Sequence, residues 1–345
     1  MRENTELAIA TGADMSTGGA LWRKSDRLAL RPRGTAEDAI VEAVRNGITH
    51  MTDNEACVLG RSHEEGVHQI RVAVRRLRSR ISLYNGLLPG RQTRLVTEEL
   101  KWLIGALGPA RDWDVFVSET MAPALESMPD EPDLAFLRRH AAMRQDRGYR
   151  IAQTALRSRR YARLKSRLQA WTEKRPWREA SSGRKSATPG DAEPGNAAAC
   201  TTLDAPAPLF AARVLEARHN NVLLRGARIA EMDAEERHRL RIQIKKLRYA
   251  VEFLESLFSD NAVKPYLAAL RQLQDSLGVM NDLTVARTLS QELLRTTRGN
   301  AKKLRLAYAT GLVVGCAAHR HGEVTQLPAA WMQFASRETF WERAA

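Results

Sequence analysis

The chain has 345 residues, 43% of them apolar and 27% charged, and 54 Lys and Arg against 40 Asp and Glu leave a net charge of +14. Length and apolar content exclude a disordered or fibrous chain and allow two domains. The basic excess is +8 over residues 1–180 and +6 over residues 181–345, so it is not a tail effect and points to an anionic partner such as nucleic acid, an anionic membrane or polyphosphate.

Residues 1–34 carry Gly, Thr and Ser clusters and little periodicity, and predict a poorly ordered leader. Thr35, with Asp38 three residues on, predicts the cap of a first helix running to about Ala56. A second helix is predicted from about Glu64 to Leu88, ended by Pro89-Gly90. A third carries Leu100, Leu103, Ile104 and Leu107 and is interrupted at Gly108-Pro109, with helical pattern resuming over 112–122. After the turn at 128–132, a long basic helix is predicted from Asp133 to about Trp171, bent near Gly148. Pro, Gly and Ser over 181–208 predict a linker. Helical patterns return at about 209–231, 233–258, 262–278, 280–297, 300–321 and 323–336, and strand alternation is absent. The expected fold class is all-α, with one helical bundle over 35–180 and a second over 209–345.

Two stretches are copies of one another. Val67 to Arg78 reads VHQIRVAVRRLR, and Arg237 to Arg248 reads RHRLRIQIKKLR, at an offset of 170 residues. On a helix, His68, Arg71, Arg75 and Arg78 fall within an arc of roughly 80°. Ile70, Val74, Leu77 and Ile81 form a separate apolar stripe. His238, Arg241, Lys245 and Arg248 repeat the basic arc, and Arg76 and Lys246 are expected to point away from it. Each row is about 15 Å long, which suits an extended polyanion better than one small anion. A basic helix face is ordinarily solvated and closed by surface ion pairs, but the duplicated spacing argues against that here. Leu107-Gly108 recurs as Leu277-Gly278, and Arg111-Asp112 as Asn281-Asp282, again 170 apart. A duplicated bundle is therefore expected, related by a pseudo-two-fold that turns both rows toward one groove.

These segments resemble the CHAD domain, the conserved-histidine α-helical domain. The resemblance rests on VHQIRVAVRRLRSRISLY at 67–84, LGPARDWDV at 107–115, RHRLRIQIKKLRYAVEFLESLF at 237–258, LGVMND at 277–282 and the terminal Phe340-Trp341. It implies two tandem four-helix bundles around a basic surface that binds inorganic polyphosphate without catalysis, and in bacteria an association with polyphosphate granules and their proteins. CHAD domains often follow a CYTH triphosphatase domain, which implies a functional link. Trp22 to Leu30 resembles the joint after such a domain, as in a chain derived from a CYTH–CHAD fusion, but there is no Glu-x-Glu-x-Lys motif.

On this reading His68, Arg71, Arg75, Arg76, Arg78, Arg111, His238, Arg241, Lys245, Lys246 and Arg248 contact polyphosphate. Arg supplies a planar fork for two phosphate oxygens, and Lys a point charge. Asp112, Asp114 and Asp282 invite an acid–base or metal reading, but are better taken as partners that orient Arg or Lys of the key helices. Arg138 to Arg163 contribute further positive charge, some of it expected at the groove. No metal or cofactor is expected, since no paired metal carboxylates appear. The three cysteines, Cys57, Cys200 and Cys316, lack metal-ligand spacing and fit a reduced cytoplasmic protein. No signal peptide or membrane-length apolar run is present, so no membrane partner is expected. Two alternatives stand beside this. A phosphohydrolase or phosphotransferase lacks a Gly-rich phosphate loop and an activated nucleophile, and nucleic-acid binding lacks a reading module and aromatic residues in the basic rows.

Overall fold

The computed structural model describes residues 22–182, 202–277, 279–320 and 327–341, excepting the side chains of residues 180–182, 234, 279–283 and 320. Its elements are α1 (Ala36–Thr52), α2 (Glu55–Gly60), α3 (Glu65–Leu83), α4 (Arg91–Ala106), α5 (Gly108–Val115), a π-helical turn (Phe116–Met121), α6 (Ala122–Ser127), α7 (Pro132–Arg157), α8 (Arg159–Lys174) and α9 (Pro176–Ser182). Then follow α10 (Ala207–Gly226), α11 (Ala234–Leu254), a 3-10 turn (Glu255–Leu257), α12 (Asp260–Ser276), α13 (Val279–Thr296), α14 (Asn300–Arg320) and α15 (Leu327–Ala335). The fold is all-α, and among the described residues the single β-bridge joins Thr35 to Pro206.

Local rules account for most boundaries. Thr35 and Asp38 form the capping box at α1, and Asp233 with Glu236 forms one at α11. The expected 133–171 helix breaks at Ser158, not at Gly148. Ser158 is extended, and its hydroxyl caps α8 by accepting from Tyr161 N–H at 3.2 Å. Gly148 instead lets α7 cross α5 closely: a Cβ there would lie 2.7–2.8 Å from the backbone of Pro109 and Ala110. Gly148→Leu should therefore force the helices apart and cost about 3 kcal/mol, read as a lowered denaturation midpoint.

The cores do not follow the two sequence halves. Helices α1, α3, α4 and α8 pack as one group and α10, α11, α12 and α15 as another, and α3 lies against α11 so that a single core runs through both. A second core mixes halves: Trp113, Phe116, Leu134 and Leu137 from the first pack with Leu289, Leu293, Leu306 and Val313 from the second. The apolar face of α13–α14 finds its cover on α5–α7 rather than within its own half. Each half thus supplies one four-helix group, and the two groups share a core through α3 and α11.

The expected loose leader is also corrected, over residues 22–34. Leu28 and Leu30 are buried, Arg23 N–H donates to Asn54 Oδ1 at 2.9 Å, and Leu30 N–H donates to Ser256 Oγ at 3.0 Å. Two leucines two residues apart in an extended segment point to the same side, which is why this Gly- and Arg-flanked stretch can dock as a strap. Residues 1–21 lie outside the described residues, as do 183–201 of the expected linker. Ala205 C=O and Leu203 C=O accept from the first N–H groups of α1, at 2.9 and 3.0 Å.

Candidate functional site

The two basic helices lie side by side and run the same way: the Arg75 guanidinium sits 5.6 Å from the Tyr249 ring centre, and Arg80 5.4 Å from Phe253. Ile70, Val74, Leu77 and Ile81 of α3, and Leu240, Ile244, Leu247 and Val251 of α11, are buried as their spacing predicts. Their basic flanks are left at the surface of the seam.

A cavity of about 730 Å³ opens on one flank. Its basic lining comes from four helices: Arg78 on α3, Arg94 on α4, Arg218 and Arg225 on α10, and Lys246 on α11. Glu98 is the single carboxylate among its lining residues, so five cations meet one anion. The Arg78 Nε is buried and has no hydrogen-bond partner among the described residues. Burial lowers the pKa of Arg218, the signature of a cation taken partly out of water. Arg225 Nε donates to Asn221 Oδ1 at 2.8 Å, which fixes its fork. Arg94, Arg225 and Lys246 are exposed and Arg78 and Arg218 half-buried, so like charges gather at one place, and a multivalent anion would relieve their repulsion.

The residues expected to share one groove separate. Arg78 and Lys246 line the large cavity, whereas Arg76 lines a smaller cleft of about 240 Å³ on the opposite flank. Parallel packing explains this, because the row of one helix then meets the opposite flank of the other. Lys246 thus faces the cavity that Arg78 enters, instead of turning away from the rows.

Arg71, Arg111 and His68 form a further cluster with acidic neighbours. Arg71 Nη1 donates to Ile104 C=O at 3.0 Å, and its Nη2 lies 3.9 Å from Asp112. Arg111 pairs with Glu119 at 3.1 Å, and His68 Nε2 lies 4.0 Å from Glu65. Burial, then the charge of Asp112 against those of Arg75 and Arg111, leaves the Arg71 pKa lowered. On the second helix His238 is exposed, Arg241 and Lys245 are half-buried, and Arg248 pairs with Glu252 at 2.9 Å.

The aspartates divide. Burial raises the pKa of Asp112 against the opposing charges of Arg71 and Arg111. Asp114, expected beside Arg or Lys, is wholly buried and accepts from Gln145 Nε2 at 2.7 Å and from the Tyr149 hydroxyl at 3.1 Å. That placement ties α5 to α7 and corrects the expectation. Asp282 lies on α13, with its side chain outside the described residues. Among the described residues no cluster of three His, Cys, Asp or Glu side chains could hold a metal ion, and no helix is long and apolar enough to cross a membrane.

Sequence reasoning missed Arg94, Arg218 and Arg225. They sit singly on helices of ordinary composition, and only tertiary packing brings them to Arg78. None of the basic residues between 138 and 163 lines the cavity; Arg160, for instance, pairs with Glu99 at 2.6 Å.

Burial lowers the pKa of His50, whose Nε2 is hydrogen-bonded to Gln69 at 2.9 Å, and burial followed by the charge of Arg111 lowers that of His68. Both groups bind protons more readily unfolded. Stability is therefore full above the ordinary histidine value of about 6.5 and declines as pH falls below it. A lower urea midpoint at pH 5.5 than at pH 7.5, with a smaller difference in His50→Gln, is the expected result.

The CHAD domain family model matches residues 42–291. The crystal structure of the CHAD domain from the plant Ricinus communis is similar at TM-score 0.73 and 30% identity, covering 92% of this chain and 98% of that one. PptA from Streptomyces chartreusis shares the fold at TM-score 0.53 and 16% identity, covering 87% of this chain and 98% of that one. No curated protein matches.

Proposed function

The chain belongs to the CHAD-domain family, and on that premise we propose that it binds inorganic polyphosphate without transforming it. The observation that carries this reading is the large cavity, where five cations from four helices meet one carboxylate and a buried guanidinium nitrogen lacks an acceptor. Polyphosphate carries roughly one negative charge per phosphate and offers no base to read, so dense, fixed donors suffice for recognition. Donors on packed helices also lose little freedom on binding. Arg78 and Lys246 anchor the anion, with Arg94, Arg218 and Arg225 around it. Arg75, at the seam, continues the path toward Arg71, Arg111 and His68, with Arg241 and Lys245 of α11 beside it, while Arg248 is held by Glu252 and lies outside the path. His238 is exposed at the start of the row on α11, and Arg76 lies in the smaller cleft, away from the path.

The role that follows is recruitment of the protein to polyphosphate, including polyphosphate granules in the cytoplasm. Titration of the full chain with long-chain polyphosphate tests the reading, alongside RNA at the same phosphate concentration. Tight binding that RNA does not displace, with no phosphate released with or without divalent metal, is expected. Displacement by RNA would favour a nucleic-acid ligand, and phosphate release an enzyme.

A further inference from the structure

The two clefts flanking the α3–α11 seam are related by the 170-residue offset. Lys246, Ser82 and Asn85 line the large cavity; their counterparts Arg76, Glu252 and Glu255 line the small one. Two neutral polar residues on one flank are thus carboxylates on the other. Glu252 lies 2.9 Å from Arg248 and 4.0 Å from Arg271, so it neutralises the counterpart of Arg78.

The strap closes the same flank. Ser25, Asp26, Arg27 and Leu28 line the small cleft. Arg27 pairs with Glu255 at 3.1 Å and with Asp260 at 2.7 Å, and hydrogen bonds from Arg27 and Lys264 hold the Asp260 carboxyl down to about 2. The cleft is left with about a third of the volume of its counterpart, and its four arginines face three carboxylates.

We propose that Glu252, and Glu255 with the strap that it holds, confine anion binding to one flank of the seam. This rests on the anion-binding reading of the large cavity. The duplication supplies two equivalent places for an anion beside the helix pair. One keeps its positive charge. The other has become a seat for a positively charged segment of the chain itself, and Arg27 takes the place that phosphate would need. The protein is accordingly an asymmetric binder built on a repeated scaffold, with one site for a short polyphosphate where the repeat alone would suggest two.

Calorimetric titration with tripolyphosphate tests this, comparing the unaltered full chain with a Glu252→Ser, Glu255→Asn, Arg27→Ala variant that restores the neutral residues of the other flank. Helical content and melting are followed in parallel. A second variant, Glu252→Gln, Glu255→Gln, Arg27→Gln, makes the same charge change with less change in side-chain volume. The expected stoichiometry is one per unaltered chain and two per chain in at least one folded variant. Two per unaltered chain, or one per chain in both variants, would overturn the proposal while leaving the anion-binding reading in place. No binding to the unaltered chain would overturn that reading and the one-site proposal with it.

Discussion

The Arg78→Ala, Lys246→Ala chain is expected to bind long-chain polyphosphate about 100-fold more weakly than the unaltered protein, because each lost charge-assisted hydrogen bond is worth about 1.5 kcal/mol and tenfold corresponds to about 1.4. The loss should be selective. Arg78 forms no ion pair among the described residues, and Lys246 is exposed on the face of α11 opposite its buried stripe. Helical content and melting of the variant, followed in parallel, separate lost binding from lost fold. The salt dependence of binding should flatten as well, its slope falling by roughly 1.4 for two lost phosphate contacts on a single-stranded polyanion. A competition titration at two ionic strengths checks both numbers.

Glu37→Ala is the substitution with the largest expected cost to the fold, about 3 kcal/mol. Glu37 lies in the first turn of α1 and is 1% exposed. Its carboxylate accepts from Trp177 Nε1 at 2.7 Å and from Arg178 Nε and Nη2, each at 2.7 Å, and it also pairs with Arg175. It therefore pins the segment after α8 to the start of α1. Burial alone would raise its pKa, but hydrogen bonds from Arg178 and Trp177 and the charge of Arg175 outweigh burial and hold it below the usual carboxylate range. Removing the carboxylate strands the indole N–H. Arg178 is half-exposed and regains water, which keeps the loss at the low end for a broken buried pair. The sign with pH follows from the lowered value: the contribution is full above the ordinary Glu range and is lost as pH falls through the folded value. Urea denaturation should show the whole difference at pH 7 and a smaller one near pH 3.

The seam helices were legible because three independent signals coincide on them: a 3.6-residue apolar stripe, a row of basic residues and an exact recurrence 170 residues later. The caps at Thr35 and Asp233 follow from side-chain chemistry within four residues, so they too can be read from local sequence. The composition of the large cavity was not legible. Arg218 owes its role to the packing of α10 on α11, and nothing in its neighbourhood of His219 and Ala217 marks it. The strap was missed for a related reason. Leu28 and Leu30 are only two apolar residues, and the strap that carries them is fixed through Leu30 N–H to Ser256 and Arg27 to Asp260, more than 220 positions away in the chain. The mixed core hid likewise, because the stripes of α5–α7 and α13–α14 say that a partner is needed but not which one. Parallel packing of α3 and α11 decided which basic residues meet, and a helical wheel of either alone cannot contain that information.

The most direct measurement is a crystal structure of the full chain with polyphosphate. The account predicts phosphate oxygens within hydrogen-bond distance of Arg78 Nε and Lys246 Nζ, with Arg218 and Arg225 on the adjoining phosphates and the cleft beside Arg27 free of ligand. Polyphosphate lying along the outer faces of α7 and α8, with the large cavity filled only by water, would contradict it.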